Sequence, residues 1–125
     1  MGEPVVVVIE DDPLVQRLLA DLLEEEGYRV HTCGSGLEAI HTLEEQDPAA
    51  VLLDINLPGR TGMQVLSDLR ADPRFTGLPV VVISGQPTFG DRAHRLADAV
   101  LTKPLDLGQL LDALRLSRVG YGRTA

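Results

Sequence analysis

Three acidic residues, a serine and a lysine carry the chemistry that this chain can do. Asp54 ends the apolar run Ala49–Leu53 and opens the segment Asp54-Ile55-Asn56-Leu57-Pro58-Gly59. Glu10-Asp11-Asp12 ends a comparable run, Val5–Ile9, and Ser84 ends a third, Pro79–Ile83. A short fourth run, Ala99–Leu101, leads into Lys103-Pro104. Short β-branched runs of this kind are typical of strands buried on both faces of a parallel sheet. Open α/β sheets bind their ligands at the carboxyl ends of such strands. Carboxylates, a hydroxyl and an ammonium gathered at one sheet edge suit a hard cation and a phosphoryl group. Two carboxylates about 4 Å apart repel by roughly 4 kcal/mol at an effective dielectric near 20, so Glu10, Asp11 and Asp54 need countercharge to share a site. Lys103 offers part of it and a divalent cation the rest. All-oxygen ligation with open positions suits Mg²⁺, and aspartate is a competent phosphoryl acceptor.

Strand and helix patterns alternate along the chain and place these residues. Asp12 and Pro13 form a helix start, followed by an apolar stripe of Leu14, Val15, Leu18, Leu19, Leu22 and Leu23. Gly27 closes that helix, and Arg29–Cys33 forms the second strand. Ser35-x-x-Glu38 predicts a capping box for a helix with Leu37, Ile40 and Leu43 inward. Thr61-x-x-Gln64 predicts another, with Val65, Leu66 and Leu69 inward, and Asp106-x-x-Gln109 a last one, using Leu107, Leu110, Leu111 and Leu114. The stretch Gly85–Leu96 contains Gly85, Pro87 and Gly90 and offers only Ala93 and Leu96 to a core, so its helix is expected to be short or irregular. One domain is expected over residues 1–119, with a loose tail over 120–125. Five βα units predict an α/β fold: a doubly wound, five-stranded parallel sheet of order 2-1-3-4-5 with about five helices. That order sets Asp11 and Asp54 facing each other at the switch point.

Composition narrows the partners. A 125-residue chain should bury about two-thirds of its unfolded surface. With 44% hydrophobic residues, 3% aromatic and no Trp, the core has to be aliphatic. A net charge of −8 and a pI near 4.7 argue against direct binding to nucleic acid or anionic membranes. Cys33 is the single cysteine, so no intrachain disulfide can form. Without a signal-peptide pattern or a membrane-spanning apolar run, a cytoplasmic setting is expected. His31, His41 and His94 lack metal-ligand spacing. Gly34-Ser35-Gly36-Leu37-Glu38-Ala39 matches the dinucleotide pattern G-x-G-x-x-A. It falls in the second βα unit, beside an acidic strand end that would repel pyrophosphate, and reads as a tight turn.

Taken in order, these segments resemble the receiver domain of two-component response regulators over about residues 4–118. Ile9-Glu10-Asp11-Asp12-Pro13 is similar to the family's acidic pair followed by proline, and Asp54–Gly59 with Gly62 and Met63 to its phosphoacceptor segment. Val82-Ile83-Ser84-Gly85 resembles the strand ending in the switch hydroxyl. Leu101-Thr102-Lys103-Pro104 resembles the lysine–proline signature, where the family usually has a cis peptide, and Gly36-Leu37-Glu38-Ala39-Ile40 the second-helix start. The resemblance implies a flavodoxin-like domain that accepts a phosphoryl group on Asp54 from a histidine kinase or phosphotransfer protein. It implies Mg²⁺ held by the side chains of Asp11 and Asp54, by the Asn56 backbone carbonyl and, through water, by Glu10. Lys103 and Ser84 would contact the phosphoryl oxygens, and Asn56 and Gln86 match positions that tune hydrolysis. The implied role is a phosphorylation-dependent switch acting on a downstream protein or a covalently linked output module, with no turnover enzyme activity beyond its own phosphorylation and slow dephosphorylation.

Two departures stand out. Val100 occupies a position that is usually Tyr or Phe, and the stretch from Ser84 to Lys103 is shorter than usual. They slightly favour an alternative, a degenerate receiver that docks partners independently of phosphorylation, but the complete set of acids, Asp54, Ser84 and Lys103 argues against it. Asp54-x-Asn56 also suggests an Mg²⁺-dependent aspartyl-phosphate phosphatase of the haloacid dehalogenase type, but that family puts its nucleophile at the end of the first strand.

Overall fold

Each apolar run becomes a strand, and the helices between them divide evenly enough to bury both faces of the resulting sheet. A computed structural model describes residues 2–85 and 91–124, with backbone alone at 91 and 118–124. The elements are β1 (Val5–Ile9), α1 (Pro13–Glu25), β2 (Arg29–Cys33), α2 (Gly36–Gln46), β3 (Ala50–Asp54), α3 (Gly62–Ala71), β4 (Val80–Ser84), α4 (Asp91–Leu96), β5 (Ala99–Thr102) and α5 (Leu107–Thr124). The sheet order is β2-β1-β3-β4-β5, and every pairing is parallel. This is the doubly wound topology expected from the sequence.

Because successive strand residues point to opposite faces, Val6 and Val8 pack with Leu19 and Leu23 of α1 and Leu110 and Leu114 of α5. Val7 and Ile9 face the other way, into a cluster with Ala39 and Leu43 of α2 and Val65, Leu66 and Leu69 of α3. Each fully buried Val or Leu contributes about 1.5–3 kcal/mol, so this two-sided, mainly aliphatic core holds the sheet with a single buried aromatic in each cluster among the described residues, Phe75 on one face and Tyr28 on the other.

The helix starts follow local capping chemistry. Asp12 accepts from the Leu14 N–H at 2.9 Å ahead of Pro13. Thr61 and Gln64 form a reciprocal capping box. Ser35 caps α2 through the Leu37 N–H at 3.0 Å, while the Glu38 half of the expected box is not formed among the described hydrogen bonds. Asp106 accepts from the Gln109 N–H at 2.9 Å.

Two expectations need correction. Leu14 and Leu18 are 79% and 59% exposed, because the six apolar residues of α1 make two adjacent rows and only the Val15–Leu19–Leu23 row meets the sheet. Leu37 is 74% exposed, and Gly36 and Ala39 take the inward positions of α2 instead. The backbone of α5 is helical through Thr124. No proline interrupts that stretch, and a glycine costs a helix only about 1 kcal/mol relative to alanine.

The short fourth helix is as expected: α4 has 6 residues, with Ala93 buried and Leu96 packed partly against the core. Gln86, Pro87 and Gly90 lie outside the described residues. Arg70 fastens the far end of this region. Its guanidinium donates to the carbonyls of Leu96 (2.6 Å), Leu78 (2.7 Å), Thr76 (3.0 Å) and Phe75 (3.3 Å). It also pairs with Asp98 at 3.0 Å, and the same Asp98 oxygen accepts from the Val80 N–H at 2.7 Å. Arg70 thus joins α3, the segment before β4, the end of α4 and the start of β5.

Candidate functional site

The carboxyl edge of the sheet gathers the residues singled out by type. Asp54 is the last residue of β3 and pairs with Ile83, and the chain is held in register just beyond it by the Ile55 N–H on the Ile83 carbonyl at 3.0 Å. Ser84 ends β4 opposite Thr102, and its carbonyl accepts from the Lys103 N–H at 2.8 Å. The Glu10 N–H donates to the Cys33 carbonyl at 2.9 Å, which anchors the β1–α1 turn to the end of β2. Glu10, Asp54 and Ser84 are the buried polar or charged residues among those described, while Asp11, Asn56 and Lys103 line the exposed rim of the site. The Lys103–Pro104 peptide is cis.

Glu10, Asp11 and Asp54 each bring one carboxylate oxygen within 4.8 Å of the others, the one such acidic group among the described residues. The Lys103 ammonium lies 3.3 Å from Asp54 and 3.6 Å from Glu10. Asp54 Oδ1 accepts from the Asn56 N–H at 3.0 Å, and Oδ2 from the Lys103 ammonium, so the carboxylate is oriented from both sides. Glu10 Oε2 accepts from the Asp12 N–H at 3.1 Å, but buried Oε1 accepts no hydrogen bond.

The electrostatics follow from this crowding. Burial, joined by the Asp54 carboxylate, pushes Glu10 up to about 7, against the opposing pull of the Asp12 N–H and Lys103. A proton on Glu10 lets its carboxyl donate toward Asp54, whereas two ionised carboxylates there can only repel. Burial pulls Lys103 down, yet the Asp54 and Glu10 carboxylates outweigh it and hold the ammonium above its ordinary value. One fixed cation therefore faces three acids. Glu10 Oε1, buried without a hydrogen bond and facing only the Lys103 ammonium at 3.6 Å, together with the hard oxygens of Asp11 and Asp54, is what a small divalent cation requires, and the residues present fit one.

Glu10, Asp11, Asp54, Asn56, Ser84 and Lys103 are therefore all brought to this edge. One further residue escapes sequence reasoning, and two glycines named there for their place in motifs prove to have a steric reason. Gln16 donates from its carboxamide to the Glu10 carbonyl; it lies one turn after the cap, and nothing in its type or spacing marks it. Gly62 backs directly onto β3, where an added Cβ would lie 2.9 Å from the Ile55 carbonyl oxygen with still closer atoms around it. Gly36 is equally confined by Arg60. Beside Lys103 and Pro104, an apolar groove lined by Val15, Leu18, Leu22, Leu105 and Leu107 runs between α1 and α5.

A doubly wound domain gathers acids, a hydroxyl and a lysine at its switch point, and comparison with known proteins assigns its family. Residues 6–115 match the response regulator receiver domain, and the chain belongs to that family, the receiver domains of two-component systems. It is 40% identical over 119 residues to the transcriptional regulatory protein TcrA of Mycobacterium tuberculosis, covering 92% of this chain and 46% of TcrA. The chain thus spans about half the length of TcrA, as it does of TcrX, of which it covers 53%. The polar-differentiation response regulator DivK of Brucella ovis is 29% identical over 113 residues, 88% of this chain and 92% of DivK. Among solved structures, the receiver domain of the sensor histidine kinase PA1611 from Pseudomonas aeruginosa, with a magnesium ion coordinated in its active-site cleft, superposes with a TM-score of 0.84 at 26% identity, covering 94% and 98% of the two chains. A CheY-like receiver domain from Methylobacillus flagellatus gives 0.85 at 29% identity, covering 93% and 99%. Among the described residues no helix is long and apolar enough to cross a membrane.

Proposed function

We propose that this chain is a phosphorylation-dependent switch of the cytoplasm that accepts a phosphoryl group on Asp54 from a histidine kinase or phosphotransfer protein and thereby changes its affinity for a protein target or linked output module. The observation that carries the reading is the Asp54 carboxylate, 3% exposed and held between the Asn56 N–H and the Lys103 ammonium. Such a group is oriented for in-line attack, and phosphoryl transfer asks a protein for little beyond positioning and charge neutralisation. An Asp54 carboxylate oxygen attacks phosphorus, an acyl–phosphate P–O bond forms, and the P–N bond to the donor imidazole breaks. The electron pair leaves with the imidazole. Slow hydrolysis returns the carboxylate and inorganic phosphate, so the chain is not a turnover enzyme.

Mg²⁺, when bound, supplies charge neutralisation between phosphoryl oxygens and carboxylates. Asp11 and Asp54 would hold it by side chain, Asn56 by its backbone carbonyl, and Glu10 through water or as a second helper. Lys103 pairs with a transferred phosphoryl oxygen, and Ser84, buried at the end of β4, takes up a hydrogen bond to another. Exposed Leu14 and Leu18 beside the apolar groove give a protein donor a surface to sit on next to the acceptor. A panel of autophosphorylated histidine kinases tests the reading. At least one should lose its label to this chain in Mg²⁺, and none should transfer in EDTA or to Asp54→Asn. Transfer to Asp54→Asn at the parental rate would overturn it.

A further inference from the structure

The glycine turn after β2 takes no part in the phosphoryl chemistry, yet it touches both loops that carry the acids. On one side the Cys33 carbonyl accepts the Glu10 N–H at 2.9 Å. On the other, Gly36 lies in backbone contact with the loop that follows Asp54. A Cβ on Gly36 would run into the Arg60 carbonyl oxygen, with the carbonyl carbon at 2.9 Å and Arg60 Cβ at 3.0 Å. The next residue, Leu37, is largely exposed but lies over Gly59, 3.1 Å from where a Cβ would stand. Gly59 has φ +74, so the loop needs glycine there for its conformation as well as for room. The turn itself is stiffened by the Ser35 cap and by the Cys33 thiol donating to the Ser35 carbonyl at 3.2 Å. Gly34 is different: a Cβ there would meet only the Gln16 carboxamide, at an ordinary 3.5 Å.

We infer that Cys33–Leu37 is a brace between the two acid-bearing loops, and that Gly36 and Leu37 are positioning residues for the cation site. The inference rests on the phosphoacceptor reading above. The loop from Ile55 to Thr61 carries Asn56, whose N–H fixes Asp54 Oδ1 and whose carbonyl is assigned to the cation. Pushing α2 away from Arg60, or removing the Leu37 cover from Gly59, lets that loop shift while the strands stay paired. The glycine requirement is asymmetric, as a brace demands and as a dinucleotide motif, which uses its first two glycines together, does not.

The test is a Mg²⁺ titration of the folded, unphosphorylated chain followed by amide NMR, alongside urea unfolding without metal. Supporting groups around metal sites typically change affinity about 10–100-fold. Gly36→Ala is expected to raise the Mg²⁺ dissociation constant about tenfold and Leu37→Ser about threefold, with Gly34→Ala within about twofold of the parent. If Gly36→Ala does not fold, Leu37→Ser, altered at an exposed position, decides. A purely structural contact would lower the urea midpoint and leave the dissociation constant of the folded fraction at the parental value, which overturns the brace. So would a Gly34→Ala variant as impaired as Gly36→Ala. A parent that does not bind Mg²⁺ at all overturns the functional reading and the brace with it.

Discussion

Replacing Glu10 with glutamine should make the metal-free protein more stable at alkaline pH, although it removes a charged residue from the site. Glu10 is 3% exposed and pushed up to about 7 from an ordinary 4.5, chiefly by burial. Between those values the folded chain holds a proton that the unfolded chain has released. Its stabilising contribution is therefore complete below the unfolded value and is lost as pH rises through the folded one. From pH 5 to pH 8 the loss integrates to about 2–3 kcal/mol for this shift, at 1.36 kcal/mol per unit. The carboxamide of the Glu10→Gln variant mimics the protonated side chain. Its oxygen can accept the Asp12 N–H that Glu10 Oε2 now accepts, and its NH₂ group can donate toward Asp54. Urea unfolding in EDTA across that pH range, parent against Glu10→Gln, isolates Glu10 because every other titrating group is common to both. The parent should fall relative to the variant by about 2–3 kcal/mol on going to pH 8. Stability curves that run parallel across the range would refute the claim that Glu10 is buried at the cost of its charge.

Asp11→Ala should relieve repulsion among the acids, so that without metal it melts at or above the parent, while the stabilisation that millimolar Mg²⁺ gives the parent by mass action disappears. A parent whose melting temperature ignores Mg²⁺ would contradict this. Arg70→Met should cost about 2–3 kcal/mol in urea unfolding, since it takes the guanidinium donor from the carbonyls of Leu78 and Leu96 and the counter-ion from Asp98, which keeps the Val80 N–H; a loss below about 1 kcal/mol would refute the anchoring role. Hydrogen exchange with the beryllofluoride phosphoryl mimic should change mainly within Ser84–Leu96. Arg70 fixes the end of that stretch, and Val100, stiff at χ1, has no ring to swing. Protection gained mainly along β5 and α5 would show a different route.

What could be read in the sequence was local. The runs before Glu10, Asp54, Ser84 and Lys103 are strands because short, nearly uninterrupted apolar runs, Val-rich in β1 and β4 and Leu-bearing in β3 and β5, suit burial on both faces of a sheet. The Asp12 and Thr61 caps are helix starts because their partners lie within a few residues. Strand order followed from the βα alternation, and strand order put the acids together. The rest depended on which surface each side chain meets. Two apolar rows on α1 look alike in sequence, and only packing reveals that Leu14 and Leu18 face outward. Gln16 and Arg70 act on carbonyls six and 26 residues away, and no spacing rule predicts those contacts. The glycines at 36 and 62 are required by atoms of other segments, Arg60 and the end of β3. The Ser35–Glu38 pattern formed only its serine half, since a cap needs one oxygen and not both partners.

Intact-mass and peptide mass spectrometry after incubation with acetyl phosphate and Mg²⁺ bears most directly on the role assigned to Asp54. One phosphoryl group should appear, stable in acid, lost in base or hydroxylamine, located on Asp54, absent in EDTA and absent from Asp54→Asn. Stoichiometric labelling of Asp54→Asn, or a stable phosphoester on a hydroxyl residue in its place, would contradict the phosphoacceptor function.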